Sequence, residues 1–183
     1  MISGKTTLIA HIGYPTEAFK APMIYNPWFD KHGIDAVVVP MGVKPEDYAA
    51  SLPQIFRFSN IRGALVTMPH KVTTMSLVDE VTSTARVAGA CNAILKRPDG
   101  TLLGDQFDGA GFVRGVERKG RLFKGTRVLV SGTGGVGSAI AASIAAAGAA
   151  ELMLFEMIPA YLEFFGYGTA TPDELRATAR VAY

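Results

Sequence analysis

The junction spanning residues 127–147 constrains the fold more than any other stretch of this chain. Arg127-Val128-Leu129-Val130-Ser131 is a short apolar run that leads directly into Gly132-Thr133-Gly134-Gly135-Val136-Gly137. A small-residue stretch with helical spacing follows over 138–147, with Gly148 just past its end. A strand, a glycine turn and a helix in that order open a parallel βαβ unit. Gly132 permits the tight turn, Gly134 lets a pyrophosphate approach the backbone, and Gly137 lets the helix lie close to the strand. The amides and dipole at the helix start then face the phosphates. Gly132, Thr133, Gly134, Gly135, Val136 and Gly137 are therefore candidate contacts for a dinucleotide such as NADP or NAD. The alternative is a turn that keeps this shape without a ligand.

The same alternation runs through the chain upstream. An apolar strand over 7–12 ends at Gly13 and Pro15, and a helix over 23–31 has Pro22 at its start and Gly33 beyond it. A β-branched strand over 36–40, a helix over 45–56 and a strand over 63–67 come next. Residues 73–88 carry polar and apolar residues at helical intervals. The runs 91–95 and 101–103 flank Pro98-Asp99-Gly100, a turn signal, and form a hairpin. A helix over 107–119 leads to the junction, and 151–155 is the next apolar run. Residues 160–165 are aromatic and apolar, and Thr171-Pro172-Asp173-Glu174 has the chemistry of a helix start. Strands alternating with helices predict an α/β fold with a mostly parallel sheet.

At 183 residues and 49% hydrophobic, the chain can bury one full domain and part of another. A net charge of +2, with basic residues scattered, leaves no footprint for nucleic acid or an anionic membrane. One cysteine, Cys91, excludes an internal disulfide and fits a reducing compartment. His11, His32 and His70 have no metal-ligand spacing, so no metal site is expected. The longest apolar run, near 139–150, is too short and too alanine-rich to span a bilayer, and residues 1–10 lack a secretory h-region. The expected protein is soluble and cytoplasmic, acts on a small molecule and can form a homo-oligomer.

Two further phrases carry chemistry. Leu65-Val66-Thr67-Met68-Pro69-His70-Lys71 leaves a strand at its carboxyl end, where ligands of open α/β sheets bind. Gly104-Asp105-Gln106-Phe107-Asp108-Gly109 follows the hairpin. Taken singly, a lysine after a strand is usually solvated, and an Asp-Gly pair is usually a turn. Taken together, they pair a base with a carboxylate ahead of a dinucleotide turn.

The phrases, with Val87-Ala88-Gly89-Ala90-Cys91-Asn92-Ala93, resemble the shikimate dehydrogenase family in several motifs and in their order. The resemblance covers residues 9 to about 155 and resumes near the C-terminus. It implies an N-terminal α/β/α substrate domain over 1–108, a partial Rossmann unit over 109–156, and C-terminal helices over 157–183 that pack back on the substrate domain. It implies Lys71 and Asp108 as catalytic residues, with Thr67 and Asn92 on substrate hydroxyls. Oxidising a secondary alcohol requires loss of the hydroxyl proton as hydride leaves, and a sufficiently buried lysine can take it. A neighbouring carboxylate opposes deprotonation of a lysine, so Asp108 is assigned mainly to positioning the hydroxyl and the ammonium group.

The chain departs from the family twice. Residues 13–22 align on a family loop whose two serines bind the substrate carboxylate. Those positions are Phe19 and Ala21 here, with Lys20 between them, and the family's asparagine before the strand-end phrase is Leu65. Losing a donor aimed at a charged group costs roughly 1.5–3 kcal/mol. A related polyol, a differently held acid or a less polar ring alcohol therefore suits the loop better than shikimate. The second departure is that most of the Rossmann half is missing after Glu156. Read forward, 151–155 is the second Rossmann strand and Glu156 the ribose-binding acid. Read backward, the run begins the C-terminal helix and Glu156 takes the place of a substrate-contacting glutamine. Two functions stay open: an oxidoreductase, or a non-catalytic homologue that binds substrate or cofactor.

Overall fold

The computed structural model of the chain describes residues 2–132 and 134–155, together with Gly166 and Glu174. They fall into two compact units that divide between Phe107 and Asp108.

The first unit is built on a six-stranded sheet of order β2-β1-β3-β5-β6-β4. Its strands are β1 (Thr7–Gly13), β2 (Ala36–Gly42), β3 (Ile61–Val66), β4 (Glu80–Val81), β5 (Ala93–Lys96) and β6 (Leu102–Asp105). The β1–β2, β1–β3 and β4–β6 pairings are parallel, while β3–β5 and β5–β6 are antiparallel. The expected hairpin is present, each arm starting one or two residues later than its apolar run suggests. Alternation along β1 and β3 puts Ala10, Ile12, Ala64 and Val66 on one face. There they meet Tyr48, Leu52 and Phe56 at the inner side of α2 (Pro45–Ile55), and together they form the main core. On β2, at the sheet's edge, the side chain of Asn26 from α1 (Ala21–Lys31) brackets Val38. Asn26 Nδ2 donates to the Val38 carbonyl at 3.1 Å, and the Val38 amide donates to Asn26 Oδ1 at 2.7 Å. One side chain thus satisfies an edge peptide that would otherwise be open for pairing.

Residues 73–88 are not one helix. They form a 3-10 turn (Thr73–Ser76), then β4, then α3 (Ser83–Ala88). The backbone is diverted to the sheet: Asp79 N donates to Leu102 O and Thr82 N to Gly104 O, each at 3.0 Å. Thr82 then caps α3, accepting from Ala85 N at 3.2 Å and donating to Asp105 Oδ1 at 2.5 Å. Sheet pairing and a cap outweigh the helical spacing of the side chains.

The second unit contains α4 (Asp108–Glu117), β7 (Arg127–Ser131), α5 (Gly135–Ala146) and β8 (Glu151–Phe155). Helix α5 begins three residues earlier than its spacing suggests, because the glycines of the turn supply its first turn. β8 pairs in parallel with β7, from Arg127 opposite Glu151 to Ser131 opposite Phe155. The apolar run 151–155 is therefore a strand, the forward of its two readings. Val113, Phe123 and Ile144 form this unit's own small core.

Candidate active site

In the first unit, the carboxyl ends of β1 and β3 gather the strand-end phrase and the substrate loop. Thr67 N donates to Ile12 O at 2.9 Å and Tyr14 N to Met68 O at 3.0 Å, so the two chains leave the sheet bonded to one another. Gly13 sits where they converge. A Cβ there would lie 2.8 Å from Met68 O and 2.9 Å from Phe19 Cζ, and would overlap Thr67 Cγ2. Glycine at 13 therefore lets Phe19 close down beside Thr67, a predicted substrate residue. Lys20 is exposed on the loop, and Ala21 is the first residue of α1.

Phe19 also stacks on His11 of β1, with ring centroids 4.1 Å apart and planes at 29°. His11 is 8% exposed, and its Nδ1 has no hydrogen-bond partner. Burial pushes its pKa below the ordinary 6.5, so the imidazole is neutral near neutrality. A phenyl ring backed by an uncharged imidazole thus stands at the position where the resemblance implies a grip on a carboxylate.

Lys71, half-buried, lies in the turn that follows β3. Its carbonyl accepts the amide of Cys91 at 2.8 Å, which ties the lysine loop to the segment carrying Asn92. Asn92 is held at three points: its carbonyl accepts from Val66 N at 2.8 Å, its amide donates to Asp105 O at 2.9 Å, and its Oδ1 accepts from Phe107 N at 3.0 Å. The Asn92 side chain therefore fixes the peptide that leads into Asp108. Thr67, Lys71 and Asn92 are brought to one end of the first unit's sheet. Asp108 opens α4 in the second unit. Burial pushes the Cys91 thiol up to about 11, so it remains protonated and inert in this wall.

The described glycines of the second unit's turn take backbone positions that suit glycine. Gly132 has a φ of +91°, which favours glycine, and Gly134 caps α5 with extended backbone. A Cβ on Gly137 would collide with the carbonyl oxygen of Gly132 and lie 2.9 Å from its carbon. At Gly134 an added Cβ would meet no atom of the described residues within 4 Å. These residues fit a pyrophosphate on the first amides of α5, the donors that have no partner within the helix. Thr133 and Glu156 lie outside the described residues, as do the expected C-terminal helices apart from Gly166 and Glu174. Among the described residues there is no cluster able to hold a metal ion and no helix long and apolar enough to cross a membrane.

Sequence reasoning missed three residues. His11 breaks an apolar strand run, which was the available signal. Tyr48 occupies the buried stripe of α2 with Leu52, and a buried phenol normally needs a partner. In the sequence Gly109 is half of a turn-like Asp-Gly pair, yet it lies inside α4 against α5.

Residues 11–94 match the family model described as the shikimate dehydrogenase substrate binding domain. A curated relative from Rubrobacter xylanophilus, named shikimate dehydrogenase (NADP(+)), is 37% identical over 158 residues, covering 86% of this chain and 55% of that protein. The chain thus spans about half the length of the curated relatives it matches. A crystal structure of shikimate 5-dehydrogenase from Listeria monocytogenes, in complex with shikimate and NAD, superposes with a TM-score of 0.79 at 32% identity, over 85% of this chain and 53% of that one. The ligand-free 5-ketofructose reductase of Gluconobacter sp. strain CHM43 gives a TM-score of 0.78 at 26% identity, over 88% and 57%.

Proposed function

This chain belongs to the shikimate dehydrogenase family, and from that premise we propose that it interconverts a cyclic secondary alcohol and its keto form with NADP or NAD. Lys71 takes the hydroxyl proton, and Asp108 positions the hydroxyl and the ammonium group. Thr67 and Asn92 hold ring hydroxyls, and the residues at Phe19, Lys20 and Ala21 shape the substrate loop. Gly132, Thr133, Gly134, Gly135, Val136 and Gly137 hold the pyrophosphate on the amides of α5, and Glu156 follows the second strand at the position of a ribose-binding acid. The bound nicotinamide supplies the hydride acceptor.

The observation that carries this reading is the gathering of Thr67, Lys71 and Asn92 at one sheet end, with Asn92 Oδ1 on the amide before Asp108. The stack of Phe19 on His11 favours an uncharged ring alcohol or keto sugar over shikimate, because Phe19 brings no donor and burial keeps the imidazole behind it from offering a carboxylate a cation. The name of the Gluconobacter relative, a reductase of a neutral keto sugar, points the same way.

The test follows nicotinamide reduction with NADP and NAD against shikimate, quinate and a set of uncharged cyclic polyols. The expected result is turnover of an uncharged alcohol, lowered by about 10²- to 10⁴-fold in Lys71→Ala. No turnover by wild type, or equal turnover by the variant, overturns it. A second reading is a homologue that binds substrate or cofactor without turning over; its support is that the chain spans about half the length of the curated relatives it matches. It is distinguished by a cofactor-induced rise in melting temperature without turnover.

A further inference from the structure

Helix α2 does more than fill the core behind the lysine loop. Tyr48 is fully buried, and its ring lies against His70 with centroids 3.9 Å apart and planes at 15°. Its hydroxyl is 2.7 Å from Thr74 Oγ1, and Thr74 Oγ1 donates to the carbonyl of His70 at 2.8 Å. A hydroxyl has one proton to give, so Thr74 must accept from Tyr48. The Thr74 amide donates to the same carbonyl at 2.9 Å. On the far side, His70 Nε2 lies 2.8 Å from the carbonyl of Val43, which can only accept, so Nε2 carries the hydrogen. Burial pushes the Tyr48 phenol up to about 12, so it remains a donor through the working range of pH.

The consequence falls on the next residue. The His70 carbonyl belongs to the peptide plane in front of Lys71, and the Lys71 carbonyl belongs to the plane behind it. The first is held by both the amide and the hydroxyl of Thr74, the second by the amide of Cys91 at 2.8 Å. With both planes fixed, the φ and ψ of Lys71 are fixed, and so is the direction of its Cα–Cβ bond. Packing does not require this chemistry: a phenylalanine and a valine would fill the same volume without burying two hydroxyls.

We propose that Tyr48 and Thr74 are positioning residues that aim Lys71 by locking the peptide plane before it. The proposal rests on Lys71 being the base. Tyr48→Phe keeps the ring stack and removes the donor, Thr74→Val removes the relay, and Thr74→Ser keeps it. The expected result is a fall in kcat of about ten- to a hundredfold in the first two, the scale of a slightly misplaced catalytic group. KM should change less than about twofold by the same reasoning, and Thr74→Ser should restore kcat.

A parallel measurement needs no turnover: the rate at which an amine-reactive ester labels Lys71, read by peptide mass spectrometry beside the other lysines. Tyr48→Phe and Thr74→Val should change the Lys71 rate alone. If wild type turns over none of the alcohols, the reading of Lys71 as base fails, and labelling alone decides whether the lock exists. Wild-type kcat and labelling in both variants, or losses that track melting temperature and are not restored by Thr74→Ser, overturn the proposal.

Discussion

Gly109 of α4 and Ala139 of α5 meet backbone to backbone: a Cβ on Gly109 would collide with the Ala139 carbonyl oxygen and with Ser143 Oγ. The residue after Asp108 therefore sets the distance between the two helices of the second unit. Gly109→Ala forces those helices apart and is expected to cost about 1–3 kcal/mol, the range for overpacking. Thermal unfolding followed by circular dichroism checks it, and an unchanged transition would show that the helices can separate freely.

Gly137→Ala tests the turn in the same unit. The added methyl meets the Gly132 carbonyl, and the turn must open to admit it. The variant should stay folded but lose the rise in melting temperature produced by NADP or NAD. A retained rise would mean that the turn is not where the dinucleotide binds.

His11 and His70 together predict how stability depends on pH. Burial pushes both below their ordinary 6.5, so the unfolded chain takes up protons before the folded one as pH falls. Their contribution is fully present above about pH 6.5 and is lost as pH drops through the range below it. His11→Leu removes one of the two groups together with an unpartnered buried nitrogen. It should raise stability by about 1 kcal/mol at neutral pH, and the gain should widen in acid. Urea midpoints at neutral and mildly acidic pH measure both effects. A gain that stays constant across that range would exclude His11 as one of the titrating groups.

Phe19→Ser combined with Ala21→Ser tests the substrate loop. Each serine restores a donor worth roughly 1.5–3 kcal/mol toward a charged group, or about tenfold or more in affinity. Shikimate turnover should rise in the double variant and turnover of uncharged ring alcohols should not. An unchanged preference would place specificity outside this loop.

Much of this was legible in the sequence because local chemistry and tertiary structure agree there. Strand β7, the glycine turn and α5 follow from apolar periodicity and from glycines whose backbones need the missing Cβ. The sheet end was legible from Thr67, Lys71 and Asn92, whose phrases the fold brings together. Residues 73–88 misled because helical spacing reports side chains only. Their backbone bonds are claimed by Leu102 and Gly104, some twenty residues away. The link from Tyr48 through Thr74 to His70 was hidden for the same reason: it joins α2 to a turn across the core, and no local pattern encodes it.

The hydrophobic cluster around Ala10, Tyr48 and Leu52 and the one around Val113, Phe123 and Ile144 have no residue in common. Among the described residues, each unit therefore carries an apolar core of its own, and a substitution inside one core can be selected on that core's packing alone.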